Sequence, residues 1–179
     1  MSKKVLVLSG SPRKNGNSDL LCNQFIKGAR EAQHEVTKVF LTDQVIHYCV
    51  ACDGCRRHHG QCVIKDDMSK ILEQMIQADV IVLASPVYFY SMDGQMKTMI
   101  DRTISRYTEI RHKEFYFIAT AADSAKSSLH RTIEGFRGFI DCLPGAKEKG
   151  VIYGTGVWKK GDVLNSSLMK EAYELGLQS

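Results

Sequence analysis

Five short apolar runs punctuate this chain, and stretches with helical periodicity separate them. The runs span residues 3–8, 35–41, 79–84, 114–121 and 150–154 and are rich in Val, Ile, Phe or Tyr. Each is near-continuously hydrophobic rather than alternating, as strands covered on both faces are. Between them, residues 18–33 start at a Ser or Asn cap and carry Leu20, Leu21, Phe25, Ile26 and Ala29 on one helical face. Residues 68–77 follow an Asp66-Asp67 cap signal, with Ile71, Leu72, Met75 and Ile76 inward. Residues 94–107, 127–142 and 162–177 complete the helices, the last with Leu164, Leu168, Met169 and Leu175 inward. Strands alternating with helices predict an α/β fold with a parallel sheet and helices on both faces. Ligands in such folds sit beyond the carboxyl ends of the strands, at the topological switch point. That places the candidate chemistry in loops 9–18, 46–67, 85–94 and 120–127.

Composition narrows the class. At 179 residues the chain is expected to form one domain, residues 1–179, and 44% hydrophobic with 25% charged residues is ordinary for a globular protein. A formal net charge of +4 suits small anionic ligands and falls short of a nucleic-acid footprint. No secretory signal is evident, and no run approaches the ~18–20 apolar residues that span a bilayer. A cytoplasmic protein with no nucleic-acid or membrane partner is expected, its six cysteines thiols or metal ligands before disulfides.

The first apolar run breaks directly into Ser9-Gly10-Ser11-Pro12-Arg13-Lys14-Asn15-Gly16-Asn17-Ser18. Strand, small-residue loop and helix start together build an anion cradle, because the first helical N–H groups lack partners and the helix dipole adds positive charge. A P-loop is excluded: five residues separate Gly10 from Gly16, and Asn17 stands where the phosphate lysine belongs. The dinucleotide glycine pattern is also missing. Hydroxyls, an amide and one arginine suit a terminal phosphate monoester, with Arg13 as charge partner. An ordinary turn capping a helix is the competing reading.

Gly10-Ser11-Pro12-Arg13-x-x-Gly16-Asn17-Ser18 resembles the signature of the NADPH-dependent FMN reductase family, within the flavodoxin-like fold. A second match follows the third strand: Ser85-Pro86-Val87-Tyr88-Phe89-Tyr90-Ser91-Met92, then Gln95-Met96-Lys97 and Ile100-Asp101-Arg102. The resemblance implies a flavodoxin-like three-layer sandwich with a five-stranded parallel sheet, binding FMN and taking electrons from NAD(P)H. It implies that Ser9, Ser11, Arg13, Asn17 and Ser18 hold the phosphate. Pro86, Val87, Tyr88 and Phe89 would hold the ring, with Ala121 in a third loop where Ala121-Ala122-Asp123-Ser124 replaces the family's glycine-rich segment. Three aromatics in one loop offer stacking surface to a flat heterocycle, which agrees. Small-molecule acceptors (a quinone, flavin, nitro or azo compound, or metal ion) and a homodimer or homotetramer are implied as well. The flavin carries the electrons, so no catalytic side chain is expected.

Cys49-x-x-Cys52-x-x-Cys55 and Cys62 place four of six cysteines within fourteen residues. Three readings stay open. Four closely spaced thiolates are the usual ligands of an iron–sulfur cluster such as 4Fe-4S, and the motif resembles that of iron–sulfur flavoproteins. Zinc is the second, although zinc sites more often use two separated Cys-x-x-Cys pairs. In the third no metal binds, and the cysteines pack beside the flavin or act as thiols activated by Arg56, Arg57, His58 and His59. The cluster reading carries a rival function, a non-enzymatic single-electron carrier; the thiol reading carries a redox sensor. Cys22 and Cys142 are expected to pack in the core, Trp158 to pack rather than cover a partner or the flavin edge, Asp101-Arg102 to form a helix-surface or interface pair, and the isolated histidines to be structural or exposed.

Overall fold

The computed structural model describes residues 1–179. β1 (Lys4–Ser9) enters a glycine-bearing loop, then α1 (Asn17–Glu31) and β2 (Glu35–Phe40). A long loop containing the short helix α2 (Gly54–Arg57) leads to α3 (Met68–Gln77) and β3 (Val80–Tyr88). The chain then folds back as the two-residue β4 (Ser91–Met92) and continues through α4 (Gly94–Arg102), β5 (Glu114–Thr120) and α5 (His130–Asp141). β6 (Lys147–Gly154) and α6 (Leu168–Leu177) finish it. The five long strands pair in parallel in the order β2-β1-β3-β5-β6, and only β4 runs antiparallel, against β3. The expected flavodoxin-like sandwich is present, with this small hairpin added.

Side-chain alternation along the strands divides the interior into two layers. Val5, Val7, Val80 and Val82 pack with Leu21 and Phe25 of α1 and Ala172 of α6. Leu6, Leu8, Ile81 and Leu83 pack with Met75 of α3, Met96 and Met99 of α4 and Phe136 of α5. On the thinner layer α1 and α6 approach so closely that a Cβ on Gly176 would stand 2.0 Å from the Phe25 carbonyl oxygen. Only glycine fits there.

Several expectations need correction. β2 is not covered on both faces: as an edge strand it exposes Glu35 and Thr37 and buries only Val39 fully. The helix expected over 94–107 ends at Arg102, and 3₁₀ turns at Thr103–Ser105 and Tyr107–Glu109 follow. Thr103 Oγ1 donates to the Ile100 carbonyl at 2.7 Å, a side-chain bond that competes with helix continuation. The helix over 127–142 starts at His130, after a 3₁₀ turn at Lys126–Leu129. Extended backbone at Ser166 splits the last helix, so Leu164 faces solvent and Val163 is buried instead, while Leu168, Met169 and Leu175 pack against the core as expected. Trp158 is 70% exposed and Cys142 is exposed, so neither packs in the core; Cys22 does. No helix is long and apolar enough to cross a membrane.

Candidate functional site

The loops after β1, β3 and β5 meet at the carboxyl end of the sheet, around the switch point between β1 and β3. Gly16 precedes α1 with no side-chain cap, and the N–H groups of Asn17, Ser18 and Asp19 find no acceptor in the chain. An uncapped helix start facing a loop of hydroxyls suits an anion. Ser9 agrees: its Oγ is fully buried with no hydrogen-bond partner, a cost of about 1–3 kcal/mol unless a ligand supplies one. Ser11 is buried with its Oγ accepting the Arg13 N–H, and Ser18 Oγ lies 3.1 Å from Thr120 Oγ1 on β5. Arg13 is exposed and makes no ion pair within the chain. These groups fit a phosphate monoester.

Asn17 stands apart from that set. Its Nδ2 donates to the Lys159 carbonyl at 2.9 Å, and its Oδ1 accepts from the N–H groups of Gly161 and Val163. Its side chain therefore ties the loop after β6 to the cradle, leaving the backbone N–H for an anion.

Asp93, which sequence reasoning missed, joins the cradle to the aromatic loop. Its fully buried carboxylate caps α4 by accepting the Met96 N–H at 2.9 Å and takes the Ser85 hydroxyl at 2.6 Å. Burial pushes this carboxyl upward. A Cβ on Gly10 would lie 2.3 Å from its Oδ2, so glycine at position 10 lets the two loops touch. The signal was an Asp just before a helical pattern.

Pro86 and Val87 leave the sheet half-buried, and β3 turns back at Phe89 and Tyr90, with Val87 opposite Met92. Both tip residues have positive φ, 50° and 62°, normally the conformation of Asn-Gly hairpin tips. Two bulky residues held there cost about 1–3 kcal/mol each. The result is an aromatic prow: Phe89 is fully exposed, with Tyr88 and Tyr90 beside it. Across the mouth, Ala121 is buried and its N–H donates to the Gly154 carbonyl, while 122–127 stays exposed.

Cys49, Cys52, Cys55 and Cys62 line one cavity of about 140 Å³ with Arg102 and Ile104. Left-handed backbone at Ala51 and Asp53 winds the loop around it. Arg102, expected on a helix surface, is 2% exposed and anchors this loop. Nη1 donates to the His47 carbonyl at 2.6 Å and Asp66 Oδ2 at 2.7 Å; Nη2 donates to Asp66 Oδ1 at 3.0 Å and Cys62 Sγ at 3.6 Å. Nε–H is buried without a partner. Burial opposes ionisation of Asp66, yet the guanidinium and the N–H groups of His47 and Met68 hold its carboxyl down at about 2. No three His, Cys, Asp or Glu side chains converge as ligands of one ion would. Zinc draws its sulfurs in to ~2.3 Å, whereas the ligands of a cubic cluster stand apart around it. Four cysteine residues lining one cavity match the donor set of such a cluster. Cys22 lies elsewhere, its thiol pushed up to about 12 by burial.

An open phosphate cradle, an aromatic loop at the switch point and a flavodoxin strand order define a flavin-binding α/β protein. The chain belongs to the NADPH-dependent FMN reductase family, whose sequence model matches residues 3–142. It is thus an oxidoreductase using FMN and a nicotinamide donor. Among similar proteins is an iron-sulfur flavoprotein of Methanocaldococcus jannaschii, 33% identical over 97% of this chain and 93% of that one. An iron-sulfur flavoprotein of Methanosarcina thermophila is 37% identical over 63% of this chain, a match spanning 56% of that protein. Among solved folds, an FMN-dependent NADH-azoreductase from Bacillus anthracis superposes with a TM-score of 0.77 at 17% identity, covering 98% of each chain. An NAD(P)H:quinone oxidoreductase from Methanothermobacter marburgensis gives 0.75 at 16%, covering 99% and 97%.

Proposed function

We propose that this oxidoreductase combines FMN with an iron–sulfur cluster on Cys49, Cys52, Cys55 and Cys62, and delivers electrons from NAD(P)H to a small acceptor such as a quinone, flavin, nitro or azo compound, or metal ion. FMN supplies the exchange between hydride and single-electron chemistry, and the cluster a one-electron outlet. The chain's residues bind and orient. Ser9, Ser11 and the N–H groups of Asn17 and Ser18 take the phosphate, and Arg13 adds a charge-assisted contact. Pro86, Val87, Tyr88 and Phe89 flank the ring, and Ala121 closes the far side. Asp93 fixes the distance between the two loops.

The observation that carries the reading is that four cysteines line one cavity, with a buried arginine bonded to one of them. The relatives named iron-sulfur flavoproteins support it. A fully exposed Phe89 at the tip of the aromatic prow supports assembly as a homodimer or homotetramer, since such a side chain gains from being covered. The test is anaerobic addition of NADH or NADPH. Bleaching of the flavin band near ~450 nm, reversed by a quinone, is expected. A flavin that neither nicotinamide bleaches contradicts the enzyme and leaves a single-electron carrier.

A further inference from the structure

A guanidinium has five N–H donors. In Arg102 four are engaged, two on Asp66, one on the His47 carbonyl and one on Cys62 Sγ, and the buried Nε–H is unpartnered. His47 and Asp66 belong to the two ends of the cysteine loop, so one side chain from α4 clasps both ends and touches a sulfur between them. The same side chain forms part of the wall of the cavity that the four cysteines line. Asp66, in turn, is fixed by the backbone N–H groups of His47 and Met68, which leaves the arginine little freedom.

We infer that Arg102 is a positioning residue for electron transfer: its Nη2–H bonds the Cys62 ligand in the cluster-loaded protein and raises the cluster's reduction potential. This rests on the cluster reading above. Adding an electron makes a cluster more negative, and hydrogen bonds to its sulfurs stabilise that state more than the oxidised one. Lysine at this position keeps the charge but lacks the fork that reaches Asp66, His47 and Cys62 together. Arg102→Lys therefore separates the hydrogen bond from the charge.

The experiment measures iron, labile sulfide and FMN in the wild-type and Arg102→Lys proteins, then titrates the cluster and flavin potentials separately. In Arg102→Lys the cluster is retained and its one-electron equilibrium shifts about tenfold toward the oxidised form, or about 59 mV, while the flavin potential stays put. An intact cluster with an unchanged potential overturns the inference. So does a cluster lost from a variant with wild-type melting temperature, which would make Arg102 only a builder of the loop. Should Arg102→Lys fail to fold, Asp66→Asn/Arg102→Gln, which removes both buried charges together, is judged by the same criteria. Wild-type protein with FMN but no iron overturns the cluster reading itself, a result distinct from either.

Discussion

Arg13 stands exposed at the mouth of the cradle with no carboxylate to neutralise it. A charge-assisted bond to phosphate contributes about 1.5–3 kcal/mol, so Arg13→Ala is expected to weaken FMN retention about tenfold or more. Quenching of flavin fluorescence on titration measures this, and unchanged affinity would mean the backbone N–H groups and serines suffice. Ser9, Ser11, Arg13 and Ser18 lie together between the end of β1 and the start of α1, a placement legible from small hydroxyls directly before a helix start. Asn17 was legible as a type, and its side-chain role was not. The amide's partners lie at 159–163, more than 140 residues along the chain, where local pattern carries no information. Arg102 misled for the same reason, since its neighbours Asp101 and Lys97 do form an exposed i,i+4 pair.

At the scale of elements, helix and strand interiors followed hydrophobic period, and their ends did not. The end of α4 at Arg102 reflects the Thr103 hydroxyl and the inward turn of the arginine, neither visible in the apolar spacing. β2 read as a buried strand because Val36, Val39 and Phe40 are apolar, although position at a sheet edge leaves alternate residues wet. The close crossing of α1 and α6 is the most sensitive contact between elements. Gly28 and Gly176 face backbone atoms there, with a Cβ on Gly28 only 2.1 Å from the Tyr173 carbonyl oxygen. Gly176→Ala must push the helices apart, and overpacking of this kind costs about 1–3 kcal/mol. Calorimetry should record a lower melting temperature; a variant as stable as the parent contradicts the crossing.

For the whole molecule, fold class was readable because the five parallel strands alternate with helices and both sheet faces are greasy. The anchoring of the cysteine loop was not, because it joins loop residues 47, 62 and 66 to Arg102 at the end of α4, 36 to 55 residues further along the chain. That anchor also sets an acid limit on stability. Asp66 is held at about 2, below its ordinary 3.8, so the native state keeps it ionised after the unfolded chain has begun to bind a proton. Its contribution is complete above about pH 5 and is lost as pH falls through the folded value near 2. Urea unfolding between pH 6 and 3 should show a steeper loss of stability for the parent than for Asp66→Asn. Parallel curves would contradict the ion pair's role.

Iron content decides whether the cysteine loop and the flavin cradle serve one electron path, as proposed. Protein purified without oxygen is expected to hold FMN together with iron and acid-labile sulfide in amounts that fit one cluster per chain. Replacing Cys52 by Ser should remove the iron and leave the flavin. Stoichiometric FMN with no iron or sulfide in the parent protein would contradict the account.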